Sequence, residues 1–451
     1  MSALSPAARR AEMLRSGPVL STLVLLTLPN LVSLGSSAIV SIAETAYVGM
    51  IGVAALGGIA LAFPVFMLMQ MLSAGAIGGT ISGAVSRALG AGNRDMAHSL
   101  ALSGFGIALT LGVVLAGLVR LFGPLIYGSL GGKGAVLSEA LAYSNAAAWA
   151  IPAIWLANAL SSILRGSGVM SVPATTLLCA GIGQVIIGGA LGLGIGPFPQ
   201  LGIAGVAIAQ AIVYWAAAAV LFLYLRTNRP AVGLRFDWSG WQPAYVTALL
   251  KVGGIAMLSP LLSVASVLLL TRIVASFGPE VLAGYGIGVR LEFLLIPIAF
   301  SVGVAALPMV GTAIGASNVS RARQIAWTSG AVVFVAVGII GLGAVLVPQL
   351  WVDLFTQVAP VRAAAYDYLT IAGYGYGFFG LALCLYFASQ GAGRVGGVIL
   401  AQSFRTGIIL AGGAYLLASS GSPSDVFALS MVAMAVMGIA TALVVKLSKW
   451  G

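Results

Sequence analysis

Charge is scarce in this 451-residue chain. Asp, Glu, Lys and Arg make up 7% of it, and only ten residues are acidic, against roughly 25% charge in soluble domains. With 60% hydrophobic residues and a mean hydropathy of +1.09, a water-soluble reading is excluded. Histidine occurs once, at His98, and cysteine twice, at Cys179 and Cys384, so zinc and haem sites lack ligands. The cysteines lie in separate apolar spans without CxxC spacing and read as small buried hydrophobes. His98, in a polar-flanked stretch, reads as a solvated or interfacial side chain. The GxxxxGK[ST] pattern is missing, which argues against ATP hydrolysis by the chain itself. No convincing set of nucleophile, base and metal is visible, nor a recurrent filter motif, so neither an enzyme nor a selective pore is expected. No cofactor or metal is expected either.

What the chain does have is apolar runs. About 20 apolar residues suffice to cross a ~30 Å hydrocarbon core as helix, and such runs recur at about 18–48, 53–86, 99–126, 136–160, 168–194, 202–225, 246–275, 280–312, 324–348, 362–388, 395–418 and 425–445. The alternating pattern of membrane strands is missing, so the class is a polytopic all-α membrane protein of twelve transmembrane helices. The hydrophobic run that follows the basic N-terminus is too long for the core of a cleavable signal, so the first span is expected to remain. The net charge of +11 does not point to nucleic acid, because fifteen mapped cations, Arg229 and Arg235 among them, fall on one side of the spans and only Arg120, Lys133 and Arg362 near the other. By the positive-inside bias both termini are cytoplasmic, and the lipid bilayer is the main partner.

The longest polar interruption, RTNRPAVGLRFDWSGWQPAY at 226–245, reads as a cytoplasmic linker between an N-terminal lobe, 1–225, and a C-terminal lobe, 246–451. LGAGNRDMA (89–97) answers IGASNVSRA (314–322) at a shift of 225 residues, LRGSGVMSVP (164–173) answers SQGAGRVGGV (389–398) at the same shift, and IGVAALGG (51–58) answers FGPEVLAG (277–284) at 226. Six spans per repeat give both copies the same orientation, which predicts two pseudo-symmetric six-helix bundles around a central cleft that opens to either side in turn. The 61 glycines suit close helix approach. Pro29, Pro64, Pro152, Pro260, Pro297 and Pro308 fall within spans, where each removes a helical hydrogen bond.

SIAETAYVG (41–49) places Glu44 near the end of the first apolar run. A charged, unpaired carboxylate there costs several kcal/mol, so it must face the protein interior or water. One reading makes it a group that binds and releases protons as access alternates; the other puts it at the helix end in interfacial water. GVRLEFLLIP (288–297) carries Arg290 and Glu292, two apart and therefore on different faces of one helix, so a mutual salt bridge is not expected. Arg272 and Arg405 are further cationic neighbours, and a charged lobe of this kind suits an anionic or zwitterionic substrate. In YDYLTIAGYGYGFF (366–379), Tyr366 and Tyr368 read as an aromatic belt. Tyr374 and Tyr376, deeper, either line the cleft or pack. Met67, sharing a helix face with Met71, has the same two readings.

PN…AETAYVGMIGVAALGG, RALGAGNRDMA, LRGSGVMSVP and LGIAGVAIAQ, with their second-half counterparts, resemble the multidrug and toxic compound extrusion family over roughly residues 20 to 445. The resemblance implies two lobes around a cleft and export driven by inward movement of protons or sodium ions. Glu44, followed by Thr45, Val48 and Gly49, matches the position of an aspartate that serves the family's N-lobe proton or cation site. Gln184 and Gly188 stand where relatives have an asparagine and a second aspartate, so the amide remains and the second carboxylate is gone. Gln210 matches a polar residue of the sixth span, and Thr45 and Tyr47 can add hydrogen bonds. Acids of the seventh and tenth spans in sodium-coupled relatives have no match here. The leading expectation is a monomeric inner-membrane secondary antiporter exporting a small amphipathic compound against protons. Sodium coupling, or a flippase of a lipid-linked or anionic precursor, is the alternative.

Overall fold

The computed structural model describes residues 6–227, 232–234 and 241–450. These form α1 Pro6–Ser16, α2 Val19–Ile51, α3 Val53–Gln70, α4 Gly78–Gly90, α5 Arg94–Ser129, α6 Gly134–Ala147, α7 Ala150–Gly166, α8 Ser171–Leu193 and α9 Gly202–Thr227. Then follow α10 Pro243–Ala275, α11 Pro279–Gly315, α12 Val319–Leu346, α13 Gln349–Val352, α14 Ala359–Ala372, α15 Tyr376–Gly391, α16 Gly396–Ala418 and α17 Pro423–Leu447. A π-helix, Met71–Ile77, joins α3 to α4, and a 3₁₀ turn, Gly373–Gly375, joins α14 to α15. Among the described residues eleven segments are long and apolar enough to cross a bilayer, or up to twelve if α6 with α7, bent by 50°, is one span. The protein is thus the all-α, multi-pass membrane protein expected. The bend has a local cause: Pro152 has no N–H to offer the carbonyl one turn back, and the helix breaks there, at Ala148 and Trp149.

By its contacts the chain falls into two compact units, Met1–Leu14 with Leu28–Gly253, and Arg15–Thr27 with Gly254–Gly451. In the second unit Arg321 donates to the carbonyl of Gly17, at the entry to α2, and Arg323 to that of Ser448, beyond the end of α17. Residues 228–231 and 235–240 of the linker, with Arg229 and Arg235, lie outside the described residues. Within the first unit Val232 and Leu234 are buried, and the carbonyl of Gly233 sits 2.6 Å from Nδ1 of His98, which is half-buried.

The internal repeat is visible as matching contacts inside each unit. Asn93 caps α5 by accepting from the N–H of Met96, and Asn318, 225 residues on, caps α12 by accepting from Arg321. A Cβ at Gly58 would lie 2.8 Å from the N of Ala140, and one at Gly284 would lie 2.7 Å from the N of Ala365, so both helix pairs approach backbone to backbone. Gly78 packs on Ser162 and Gly303 on Phe387, the same pair moved by 225. Gly58 and Gly284, however, are 226 apart. The first half therefore holds one more residue between Gly58 and Gly78, and the π-helix Met71–Ile77 lies in that interval. A π turn takes an extra residue without shifting the flanking contacts.

Candidate functional site

Glu44 lies two turns inside α2, not at its end, because the helix continues to Ile51. Nε2 of Gln184, on α8, donates to Oε1 of Glu44 at 2.6 Å and to the carbonyl of Val206, on α9, at 3.2 Å. Both amide hydrogens are thereby used, and the amide is held with its nitrogen toward the carboxylate. Oε1 of Gln184, Oε1 of Gln210 and the hydroxyl of Tyr47 are buried and have no hydrogen-bond partner among the described residues. Gln210 stands one turn beyond Val206 on α9. Tyr47, Tyr143 and Tyr214 all lie within electrostatic range of Glu44. No cation pairs with this carboxylate among the described residues, in contrast to Asp353, which Arg362 pairs at 2.9 Å.

Thr45 is not drawn to the cluster. Its hydroxyl is exposed and donates to the carbonyl of Ser41 at 2.8 Å, the usual recourse of a helical threonine. Gly188 explains its own lack of a side chain: a Cβ there would lie 2.6 Å from the hydroxyl of Tyr47 and 3.7 Å from Nε2 of Gln184. The tyrosine hydroxyl fills the space a residue at 188 would need. Tyr143 and Tyr214 were not singled out in the sequence. Tyr143 carried one signal, since it is the repeat counterpart of Tyr368, 225 residues on.

The second unit holds a different polar cluster. Glu292, on α11, is buried and accepts from the hydroxyl of Tyr368, on α14. Tyr368 is clamped edge-on by Tyr285 and Phe427, each ring centroid 5.1 Å away. It is thus buried, and the aromatic-belt expectation fails for it, whereas Tyr366 is half-buried, donating to Asp353 and accepting from Arg362. On a helix, positions two apart point some 200° from each other. Arg405, on α16, is the cation nearest in effect to Glu292: the two are coupled electrostatically without ion-pair contact, and the guanidinium lies 5.4 Å from the Phe379 ring centroid. Arg290 is exposed and stacks on Phe355 at 5.4 Å, away from this cluster. Arg272 is exposed as well. Tyr376 is fully buried within range of Glu292, and its hydroxyl has no partner among the described residues, while Tyr374 is 56% exposed. Met67 is half-buried on α3.

Cys384 is buried as expected; Cys179 is exposed, in a groove of about 350 Å³ lined by Thr175, Thr176, Val213, Ala217 and Val220. The apolar surroundings explain the expectation, since a span residue turned away from protein faces lipid and not water.

The MatE family model matches residues 29–188 and 256–416 of this chain. The chain is 30% identical to a probable multidrug resistance protein NorM of Aromatoleum aromaticum, covering 72% of this chain and 70% of that protein. It is 26% identical to an FAD transporter of Shewanella oneidensis, covering 69% of each. Among solved structures it is similar to a MOP superfamily transporter from Pyrococcus furiosus, with a TM-score of 0.88 at 19% identity. It is also similar to a MATE transporter of Vibrio cholerae, with a TM-score of 0.86 at 22% identity; both structures are covered over 97% of each chain.

Proposed function

We propose that this chain, which belongs to the MatE family of transporters, exports amphipathic organic compounds across the inner membrane in exchange for protons, with Glu44 as the group that is loaded and unloaded. The observation that carries this reading is the setting of Glu44: an acid two turns inside a membrane helix, hydrogen-bonded by a neutral amide and paired with no cation among the described residues. An uncompensated carboxylate in such surroundings is costly as an ion. It is therefore easily discharged by a proton and recharged when water reaches it.

Gln184 suits both states. Its N–H serves the ionised carboxylate, and its carbonyl oxygen, without a partner among the described residues, can accept from the protonated acid after rotation of the amide. Tyr47 adds a hydroxyl that can give or take a hydrogen bond. Alternating exposure of the site by two lobes, with both termini on the cytoplasmic side, completes the scheme.

Transport in proteoliposomes under an imposed pH gradient or an imposed sodium gradient tests it. Wild type should export against substrate concentration with the pH gradient alone, and Glu44→Gln should lose that drive while remaining monodisperse. Uphill export driven by sodium alone would move the coupling ion from H⁺ to Na⁺, with the neutral oxygens of Gln184, Gln210 and Tyr47 as its ligands.

A further inference from the structure

The buried cluster of the second unit is not used by this scheme. We infer that Glu292 and Arg405 are the two poles of a separate binding site, suited to a small zwitterion that offers an ammonium group to the carboxylate and a carboxylate to the guanidinium.

Four observations lead there. Both poles are buried, and both are charged side chains that ordinarily avoid such burial unless paired, yet they make no direct contact. Two charges meant only to hold helices in register would be expected to touch. The atoms around them are also unsatisfied. Nε of Arg405 and the hydroxyl of Tyr376 are buried without partners among the described residues. The hydrogen bond from Tyr368 reaches Oε1 of Glu292, which leaves Oε2 to accept from a ligand.

The poles are held in place. Tyr368 is fixed between the edges of two rings, and Arg405 lies over Phe379. Such seating holds each charge in one position, as recognition of a ligand requires. The balance of charge then selects the ligand class. One positive and one negative group sum to zero, so a zwitterion enters without adding net charge, whereas a simple cation or anion would leave one charge unbalanced in a poorly screened interior.

The repeat isolates the feature to this half. Before the π-helix the halves run 226 apart, which sets Phe66 against Glu292; after it they run 225 apart, which sets Ala180 against Arg405 and Tyr143 against Tyr368. In the first unit Phe66 and Tyr143 are a plain edge-to-face pair, centroids 5.4 Å apart. The tyrosine is common to both halves, and the charged poles belong to the second alone.

Only the description of the ligand as a transported substrate rests on the export reading. Binding is tested without any gradient, using the full chain in nanodiscs and three radiolabelled probes of one shape. Phenylalanine carries both charges, phenethylamine the ammonium alone and 3-phenylpropionate the carboxylate alone. Wild type should bind phenylalanine about tenfold tighter than either single-charge probe, the return expected for one further charge-assisted hydrogen bond. Arg405→Gln should level phenylalanine with phenethylamine, and Glu292→Gln should level it with 3-phenylpropionate. Arg405→Lys, which keeps the charge but not the fork, serves should the Gln variant fail to fold, and should lose part of the preference. Equal binding of all three probes by wild type, or an undiminished preference in the folded Arg405 variant, overturns the inference. Glu44→Gln should leave the preference intact, so loss of proton coupling and loss of this site are separable results.

Discussion

Nε2 of Gln184 lies 2.6 Å from Oε1 of Glu44 and also holds the carbonyl of Val206, so one amide ties α2, α8 and α9 together at the carboxylate. Replacing Gln184 with Leu removes the carboxylate's hydrogen-bond donor and should cut gradient-driven export about tenfold or more, the scale of a hydrogen bond to a charged group. Gln184→Asn, one methylene too short, should fall almost as far. Initial rates of export at matched protein levels measure both, and rates within twofold of wild type would remove Gln184 from the mechanism.

Tyr47 and Gly188 should behave as a coupled pair. In Gly188→Ala the new Cβ would meet the Tyr47 hydroxyl at 2.6 Å but the carbon bearing it only at 3.4 Å. Overpacking of this kind costs about 1–3 kcal/mol. Tyr47→Phe should therefore rescue much of the loss in the double variant. A cycle of thermal unfolding measurements in detergent reads the coupling directly.

The two helix caps offer a check on the repeat. Asn93→Ala and Asn318→Ala each remove the acceptor for a first-turn N–H, and each should lower stability by about 1 kcal/mol. Because the caps sit in different units, the double variant should lose the sum.

The π-helix should tolerate what a regular helix does not. Deleting Ala74 takes out the residue by which the first half exceeds the second between Gly58 and Gly78, so the flanking contacts of Gly58 and Gly78 should survive and the chain should still express and purify as a single species. Deleting Ile298 from the uninterrupted helix α11 would instead rotate Glu292 by about 100° relative to Gly303, and should abolish folding. Fluorescence size-exclusion profiles of the two deletions distinguish these outcomes.

How much of this was legible beforehand depended on what each signal measures. Span number and the 225-residue repeat follow from hydropathy and turn residues, and both reappear as helices and matched caps. The bend at Ala148 was hidden because its segment is apolar on both sides of the break, although Pro152 was in view. Glu44 with Gln184 could be picked out because acids and amides stand out in apolar helices. Tyr368 was misread because its neighbour Asp367 is exposed and Tyr366 only half-buried, and sequence proximity suggests a shared fate that helical geometry denies. Arg290 drew attention beside Glu292, while Arg405, 113 residues away in sequence, is the cation that shares Glu292's environment. Side-chain facing across helices is a tertiary property that one sequence does not carry.

Proton release on substrate binding is the most direct measurement. In weakly buffered detergent solution with a pH indicator, adding a transported compound to purified wild type should free about one proton per chain, because linkage requires a ligand that competes with the proton to displace it. Glu44→Gln should bind the compound and release none. Equal release from the variant would contradict the assignment of Glu44 as the group that carries the proton.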